Sequence, residues 1–345
     1  MKYAPIIIPT LNRVLHLKRC INSLLLNKEA ILTDLYISVD YPPNKKYING
    51  YAEVKRYVKT IKGFKSVNLF FQSTNLGPGK NRAFLEKKIK TDNHNRYIFT
   101  DDDNEFSKNF LSFINWGLEK YKDDDSIYAI CSTLDSEVVG YQNNKKYLII
   151  SAYTPFGSGH WIHKNDSCEL YLNQKSIDDI YRDKTKQQKL LYYFPLIYYI
   201  VAKDSIREIS ETRGENDGLT YIDIWENVYC VENDKRCVFP CLPKSRNWGH
   251  DGSGVHFDNN NIENYIPKTL FDDSSCWEWN STEISKEEEA ENIIARRRLF
   301  EISTINMFKA HILYILNFVF GNRIVLYIYR LFHRNSIKKD DIKYG

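Results

Sequence analysis

The sequence predicts an α/β fold with a mostly parallel central sheet flanked by helices. Over residues 1–130, short apolar runs alternate with segments of helical periodicity, which is typical of βαβ units. Acidic and turn residues follow several of these runs, as they do at the carboxyl ends of parallel strands. The chain has 345 residues and is 43% hydrophobic, so it can bury a sizeable core.

Four strands and four helices are expected in the first 130 residues. The predicted strands cover residues 4–10, 34–43, 67–72 and 96–100. The predicted helices cover residues 14–27, 51–63, 75–90 and 108–124. Residues 131–260 are expected to complete the same domain, followed by an irregular connector at 261–290 and a basic, amphipathic helical tail at 291–345.

Charge and cysteine content exclude several classes of protein. Seven widely spread cysteines do not form a disulfide framework, and Cys237 and Cys241 lack the second pair that a zinc site needs, so we expect reduced, cytosolic thiols. Residues 291–345 contain ten Lys/Arg and four acids and so carry a net charge of +6. Because the whole chain carries +4, the first 290 residues carry −2. An acidic body argues against nucleic-acid binding.

The segment YIFTDDDNEF places four acids directly behind a predicted strand, namely Asp101, Asp102, Asp103 and Glu105. One interpretation is a solvated loop that precedes a helix, whose dipole favours negative charge. The other is a divalent-cation site, in which the metal offsets the repulsion between carboxylates. An EF-hand loop is excluded because the sixth position has no glycine and the twelfth no glutamate.

Four segments carry a family resemblance. PIIIPTLNR, ISVDYP, NLGPGKNRAF and IFTDDDNEFSKNFL resemble, in this order, the nucleotide-diphospho-sugar transferase fold of type GT-A. The acidic segment is similar to that of inverting glycosyltransferases, both the N-acetylglucosaminyltransferase I type and family-2-like bacterial surface-polysaccharide transferases. The resemblance covers about residues 4–260. It implies a glycosyltransferase domain with a nucleotide-sugar-binding half at 1–130 and an acceptor half at 131–260.

The resemblance also implies roles for individual residues. Asp40 would accept hydrogen bonds from the base, which we expect to be uracil. Asp102 would face the ribose, and Asp103 would bind Mn²⁺ or Mg²⁺. The residues implied in nucleotide-sugar binding are Pro9, Thr10, Arg13, Asp40, Asn75, Gly77, Lys80, Arg82, Asp101 and Asp102. From the residues alone, Pro9 could simply end a strand, Arg13 could pair with a surface acid, and residues 75–79 could form only a turn and a helix cap.

Inverting transfer requires a carboxylate that deprotonates the acceptor hydroxyl. GLTYIDIWENVYC resembles the segment that carries this base in the N-acetylglucosaminyltransferase I type, which implies Asp223 as the base and Trp225 as an acceptor contact. Glu215 and Asp217 are the alternative bases. The same segment could instead be an amphipathic helix with Trp225 buried and its acids solvated.

Two glycine-containing loops carry further candidates. SRNWGHDGSGVHF resembles a segment of bacterial polysaccharide transferases and implies His256 as a metal or phosphate contact. A surface loop without such a role is the alternative. PFGSGHWIHK is expected to lie on the acceptor side, with Trp161 stacking on a sugar ring.

The resemblance implies a metal-dependent hexosyl- or N-acetylhexosaminyltransferase that uses a UDP-sugar and a glycan or lipid-linked acceptor in capsule, O-antigen or exopolysaccharide synthesis. The alternative is a catalytically inactive nucleotide-sugar-binding or membrane-peripheral scaffold with the same fold. The apolar stretch of the tail, 312–320, covers only nine residues, one of them Asn317, which is too few to span a membrane. We expect the tail to bind an anionic membrane surface at the cytoplasmic face, or else to pack on the domain or form a dimer face.

Overall fold

The computed structural model describes residues 3–134, 147–174, 183–193, 198, 222–251, 253, 272 and 304–320. The chain divides into two compact units. The sheet unit comprises Met1–Ser167 and Asp234–Asn292, and the helical unit comprises Cys168–Asn233 and Ile293–Gly345. This division groups residues 168–233 with the tail, whereas the family resemblance implies that they belong to the acceptor half.

Ten strands and eight helices are labelled here in chain order. The strands are β1 (Ile6–Thr10), β2 (Asp34–Val39), β3 (Ser66–Phe71), β4 (Arg96–Phe99), β5 (Asn104–Phe106), β6 (Ile127–Cys131), β7 (Tyr147–Ile150), β8 (Ser158–Trp161), β9 (Arg236–Pro240) and β10 (Ser245–Asn247). The helices are α1 (Val14–Leu25), α2 (Ile48–Val58), α3 (Gly77–Thr91), α4 (Phe110–Lys120), α5 (Ile162–Gln174), α6 (Lys184–Tyr193), α7 (Ile222–Glu232) and α8 (Thr304–Phe320).

Eight strands form one mixed sheet in the order β3-β2-β1-β4-β8-β6-β9-β7. β1 to β4 are mutually parallel, β8 runs antiparallel to both β4 and β6, and β6 and β9 are parallel. The central strands are buried on both faces, as expected for a sheet covered by helices. The α/β fold with a large central sheet flanked by helices is therefore confirmed.

All eight elements predicted in the first 130 residues are present, with ends that shift by a few residues. The three-residue strand β5 is not predicted from the sequence; it pairs antiparallel with β10 to form a separate ribbon. This ribbon brings residues 245–249 beside the acidic segment.

The sheet topology determines where the functional side chains lie. β1, β2 and β4 run in the same direction, so their carboxyl ends meet at one edge. The chain leaves these strands at Thr10, Val39 and Phe99, directly before Arg13, Asp40 and the acidic segment. Apolar side chains of α1 and α2 pack with those of the sheet in one core cluster, which supports this edge.

In the helical unit, α8 packs against α6. Asn317 is buried and its Nδ2 donates a hydrogen bond to Gln187 Oε1 over 2.9 Å, while Lys184 Nζ lies 4.0 Å from the ring centroid of Phe318. Within the described ranges, no helix is both long and apolar enough to cross a membrane.

Candidate functional site

Two buried carboxylates form the centre of the site at the end of β4. Asp102 and Asp103 are 3% and 9% exposed. Arg13, the residue before α1, bridges them: its Nη2 is 2.5 Å from Asp102 Oδ1 and its Nη1 is 2.8 Å from Asp103 Oδ2. The alternative that Arg13 pairs only with a surface acid is therefore wrong, because both partners are buried.

The other two oxygens of this pair accept hydrogen bonds from neutral groups. Thr10 Oγ1 donates to Asp102 Oδ2 over 2.6 Å, and Asn247 Nδ2 donates to Asp103 Oδ1 over 3.2 Å. Gly249 follows on the same loop, and a Cβ atom at this position would overlap the Asp103 carboxylate. Only glycine therefore permits the loop after β10 to approach Asp103 this closely.

Burial and mutual repulsion dominate the electrostatics of the acids. Burial, followed by repulsion from Asp103 and Asp102, raises the pKa of Asp101 to about 7, although Arg13 and Arg82 oppose the increase. Burial also raises the pKa of Asp102, against the attraction of Arg13. Burial lowers the pKa of Arg13, but the three aspartates raise it by more, so the guanidinium stays charged.

The acids suit a divalent cation by their chemistry. Carboxylate oxygens are hard ligands, and Mg²⁺ commonly binds through one or two carboxylates together with substrate phosphates. In the part of the chain that the structure describes, no three His, Cys, Asp or Glu side chains are grouped to hold a metal ion. A cation here would therefore depend on Asp102 and Asp103, with further ligands from a bound nucleotide.

Asp40 is committed to the chain's own hydrogen bonds. Its Oδ1 accepts from the backbone N–H groups of Tyr41 and Leu76, and its Oδ2 accepts from the N–H of Gly77 over 2.9 Å and from Asn75 Nδ2 over 3.3 Å. Burial raises the pKa of Asp40, and these backbone hydrogen bonds oppose the increase. A carboxylate has about four acceptor positions, so a base would have to replace the longest contact, that of Asn75. The predicted base contact stays a prediction.

The start of α3 combines a structural role with the predicted one. Gly77 has φ +75° and begins the helix, a conformation that favours glycine. Lys80 is exposed on the same helix. Arg82 is buried, where its Nε donates to Glu86 Oε1 over 2.9 Å and its guanidinium stacks on Phe99 at 4.1 Å. For these residues, and for Pro9 buried within β1, contact with a nucleotide stays a prediction.

The predicted acceptor residues lie elsewhere than expected. Trp161 ends β8 in the core, 3% exposed, and its Nε1 donates to the carbonyl of Leu118 over 3.0 Å. This placement contradicts its predicted stacking on a sugar, because the ring has almost no free face. Trp225 lies on α7 in the helical unit and is 7% exposed, which leaves little ring surface for a sugar. Glu226 is buried beside it, contrary to the alternative with solvated acids.

The structure does not describe the side chain of the predicted base or the predicted histidine. Asp223 is the second residue of α7, but its side chain lies outside the described residues, as do Glu215 and Asp217. His256 lies outside the described residues as well. Their roles stay predictions.

A set of contacts that is not predicted from the sequence joins α1 to the loop after β10. We call it the clasp and define it as His16, Arg19, Trp248, Asp251 and Ser253. His16 Nε2 lies 2.9 Å from Asp251 Oδ2 and 3.2 Å from Ser253 Oγ. Arg19 stacks on the Trp248 ring at 3.8 Å. The Gly, His and Asp pattern after β10 predicts a functional loop by resemblance only, and nothing in the sequence pairs this loop with His16.

Glu105 connects the β5–β10 ribbon to the same loop. Its Oε2 accepts from Arg246 Nε and from Trp248 Nε1, each over 2.7 Å. Burial raises the pKa of Glu105, but these two hydrogen bonds lower it by more, so the net pKa is below its ordinary value. The fourth acid of the segment therefore has structural partners, Arg246 and Trp248.

A family of known proteins matches the part of the chain that contains most of the site. Residues 6–182 match the model of the family described as glycosyl transferase family 2, and this segment contains Thr10, Arg13, Asp102 and Asp103. No curated protein matches the sequence.

Solved structures with low similarity to this chain include the following three. S. aureus TarS has 15% identity over 49% of this chain and 30% of its own, with a TM-score of 0.33. Its fragment 1-349, in complex with UDP-GlcNAc, has 15% identity over 67% and 82%, with a TM-score of 0.35. The mannosyltransferase PcManGT from Pyrobaculum calidifontis, in complex with GDP-Man and Mn²⁺, has 10% identity over 66% and 68%, with a TM-score of 0.37. The chain thus spans less than a third of the length of the first of these TarS chains.

The family match covers just over half of the chain and includes β1, β4 and the acidic segment on which the site is built. The chain therefore belongs to glycosyl transferase family 2.

Proposed function

We propose that this enzyme transfers a sugar from a UDP-sugar, with inversion and with a bound Mn²⁺ or Mg²⁺, to a glycan or lipid-linked acceptor in surface-polysaccharide synthesis. The observation that carries the proposal is the convergence of Asp101, Asp102 and Asp103 with Arg13 at the carboxyl ends of β1 and β4. In open α/β sheets, ligands bind outside this edge.

Asp102 and Asp103 are the residues that would hold the cation. When bound, the cation supplies positive charge that stabilises the diphosphate leaving group. Thr10 and Asn247 orient the two carboxylates through their hydrogen bonds, and Gly249 keeps the space beside Asp103 open to the loop backbone. Asp40 holds the turn before α3, where Asn75 is the group that a uracil N–H would replace.

The first experiment is calorimetric titration of UDP into the wild-type protein and Asp103→Ala, with and without Mn²⁺. We expect UDP binding that requires Mn²⁺ in the wild type and is lost in Asp103→Ala. Glu53→Gln, an exposed acid on α2, is the matched control and should bind as the wild type does. Absent UDP binding, or binding that ignores Mn²⁺, would contradict the proposal.

Inverting transfer requires a base that removes the proton of the acceptor hydroxyl, and we assign this role to Asp223. General-base catalysis commonly contributes about 10²–10⁴-fold, so Asp223→Asn should lose sugar transfer by about this factor while UDP affinity is kept. A wild-type protein that binds UDP-sugars but turns them over no faster than Asp223→Asn would favour the alternative, an inactive nucleotide-sugar-binding scaffold.

The proposed site of membrane association is one face of α8, at the cytoplasmic face of the cell membrane. We define the α8 stripe as Ile305, Phe308, Ile312, Ile315 and Val319, which recur every three or four residues and are 39–67% exposed. From 302 to 339 the sequence has six Lys/Arg and no Asp or Glu. An exposed apolar stripe within a basic segment suits an anionic lipid surface, which a lipid-linked acceptor would share.

A further inference from the structure

Arg13 lies between the two carboxylates that the proposed function assigns to a divalent cation. Its guanidinium makes one contact with each, at 2.5 Å to Asp102 and 2.8 Å to Asp103. The Arg13 side chain is only 20% exposed. Because solvent and salt screen such a pair less than a surface pair, the contact holds Arg13 strongly in place.

All four oxygens of the two carboxylates accept a hydrogen bond, so a cation that binds them must displace a donor. Thr10 and Asn247 are neutral and lie on β1 and β10. Arg13 is the charged donor, on a long side chain at the start of α1. A second positive charge beside Asp102 or Asp103 therefore repels Arg13 and not the other two donors.

Arg13 does not leave by losing its proton. A guanidinium stays protonated in proteins, and the three aspartates raise the pKa of Arg13 further above its ordinary value. The side chain has to rotate away with its charge, and it then needs another anion. A diphosphate matches the planar fork of guanidinium donors and accepts two parallel hydrogen bonds.

We propose that Arg13 is an internal counter-ion that competes with the divalent cation for Asp102 and Asp103 and moves to the diphosphate of the donor. This inference rests on the proposed function, from which it takes the cation and the diphosphate. It makes the two ligands cooperative: the nucleotide provides the anion that Arg13 needs once it has left the carboxylates, so each ligand tightens the other by the same factor.

The test is the Mn²⁺ affinity of the full chain, measured by electron paramagnetic resonance of free Mn²⁺, with and without saturating UDP. We expect Arg13→Gln to bind Mn²⁺ about 5- to 150-fold more tightly than the wild type without UDP, the usual range of such couplings. UDP should then tighten Mn²⁺ binding less in Arg13→Gln than in the wild type. Lys18→Gln removes the same charge from an exposed position on α1 and should change Mn²⁺ affinity by less than about twofold.

Arg13→Lys is the second variant in case Arg13→Gln does not fold, as judged by circular dichroism. Lysine keeps the charge but loses the fork, so Mn²⁺ affinity without UDP should lie between those of the wild type and Arg13→Gln. Unchanged or weaker Mn²⁺ binding by the folded variants would overturn the inference. So would UDP binding that needs no Mn²⁺ and is lost in Arg13→Gln, since Arg13 would then replace the cation.

These affinities do not depend on sugar transfer. A protein that shows the expected Mn²⁺ affinities but transfers no sugar would contradict the proposed function and leave the inference standing. A protein that transfers sugar with Mn²⁺ but shows the same Mn²⁺ affinity in Arg13→Gln would do the reverse.

Discussion

Asp102 and Asp103 are buried next to each other, an arrangement that is costly unless each charge is paired and hydrogen-bonded. Arg13 supplies the opposite charge, and Thr10 and Asn247 supply the remaining donors. The acidic cluster is therefore stable as part of the folded chain. Removing any one donor leaves a buried carboxylate oxygen unsatisfied, so these residues link the stability of the site to its chemistry.

Glu105 makes a separate prediction about stability and pH. The pKa of Glu105 is lower in the folded state than in the unfolded state. The ionised side chain therefore stabilises the fold above the ordinary glutamate pKa, and this stabilisation is lost as the pH falls through the folded-state pKa. Glu105→Gln should therefore lower the free energy of unfolding by about 1–2 kcal/mol at pH 7, through weaker hydrogen bonds to Arg246 and Trp248. The difference from the wild type should shrink as the pH falls below about 4.

Urea unfolding at pH 7 and at about pH 2.5, well below the ordinary glutamate pKa, measures this difference. Glu53→Gln again serves as the control, since Glu53 is exposed on α2 and should show no loss at either pH. An equal loss for Glu105→Gln at both pH values would show that its packing matters and its charge does not.

At the scale of the elements, the sequence predicted β1 to β4 and their helices because the periods of 2 and 3.6 are clear there and Gly and Pro mark the ends. The β5–β10 ribbon could not be predicted, because each strand has three residues and its partner is far away in sequence. Trp161 shows a related limit: an aromatic residue next to glycines resembles a sugar platform, but its exposure depends on β4 and β6 flanking β8.

The contact between α1 and the loop after β10 predicts a local effect on dynamics. His16→Ala removes the contacts to Asp251 and Ser253, so backbone amides of residues 248–253 should exchange hydrogen faster. With about 1 kcal/mol lost, the increase should be about fivefold. Hydrogen exchange read by mass spectrometry on this segment measures it.

Leu15→Ala is the control for this experiment, because Leu15 is 73% exposed on the same helix and should leave the loop unchanged. His16→Gln keeps a donor near the same position and should restore part of the protection. If exchange in 248–253 is the same in His16→Ala and the wild type, the clasp does not hold the loop.

At the scale of the whole molecule, the sheet unit carries the acidic site and the helical unit carries the α8 stripe. The basic, apolar character of the tail could be predicted from composition alone. That α8 has both a packed side, with Ala310 and Asn317 buried, and an exposed stripe depends on its packing against α6 and could not. The packed side of α8 is what the packing alternative for the tail requires, and the exposed stripe is what membrane binding requires.

The exposed stripe predicts binding to anionic vesicles. Phe308→Asp with Ile315→Asp should lower the fraction that sediments with phosphatidylglycerol vesicles by at least about tenfold, since each side chain contributes about 1.5–3 kcal/mol when buried and the new charges repel the lipid. Ile31→Asp is the matched control, because Ile31 is equally apolar and 66% exposed but lies in the sheet unit.

Point variants are preferable to truncation at residue 290, which would also remove the buried contact between Asn317 and Gln187. Wild-type binding should weaken at high salt, because the six basic residues act through a screened attraction. Equal sedimentation of the double variant and the wild type would contradict membrane binding through the stripe, and a wild-type dimer that the double variant dissociates would assign the stripe to a second copy of the chain.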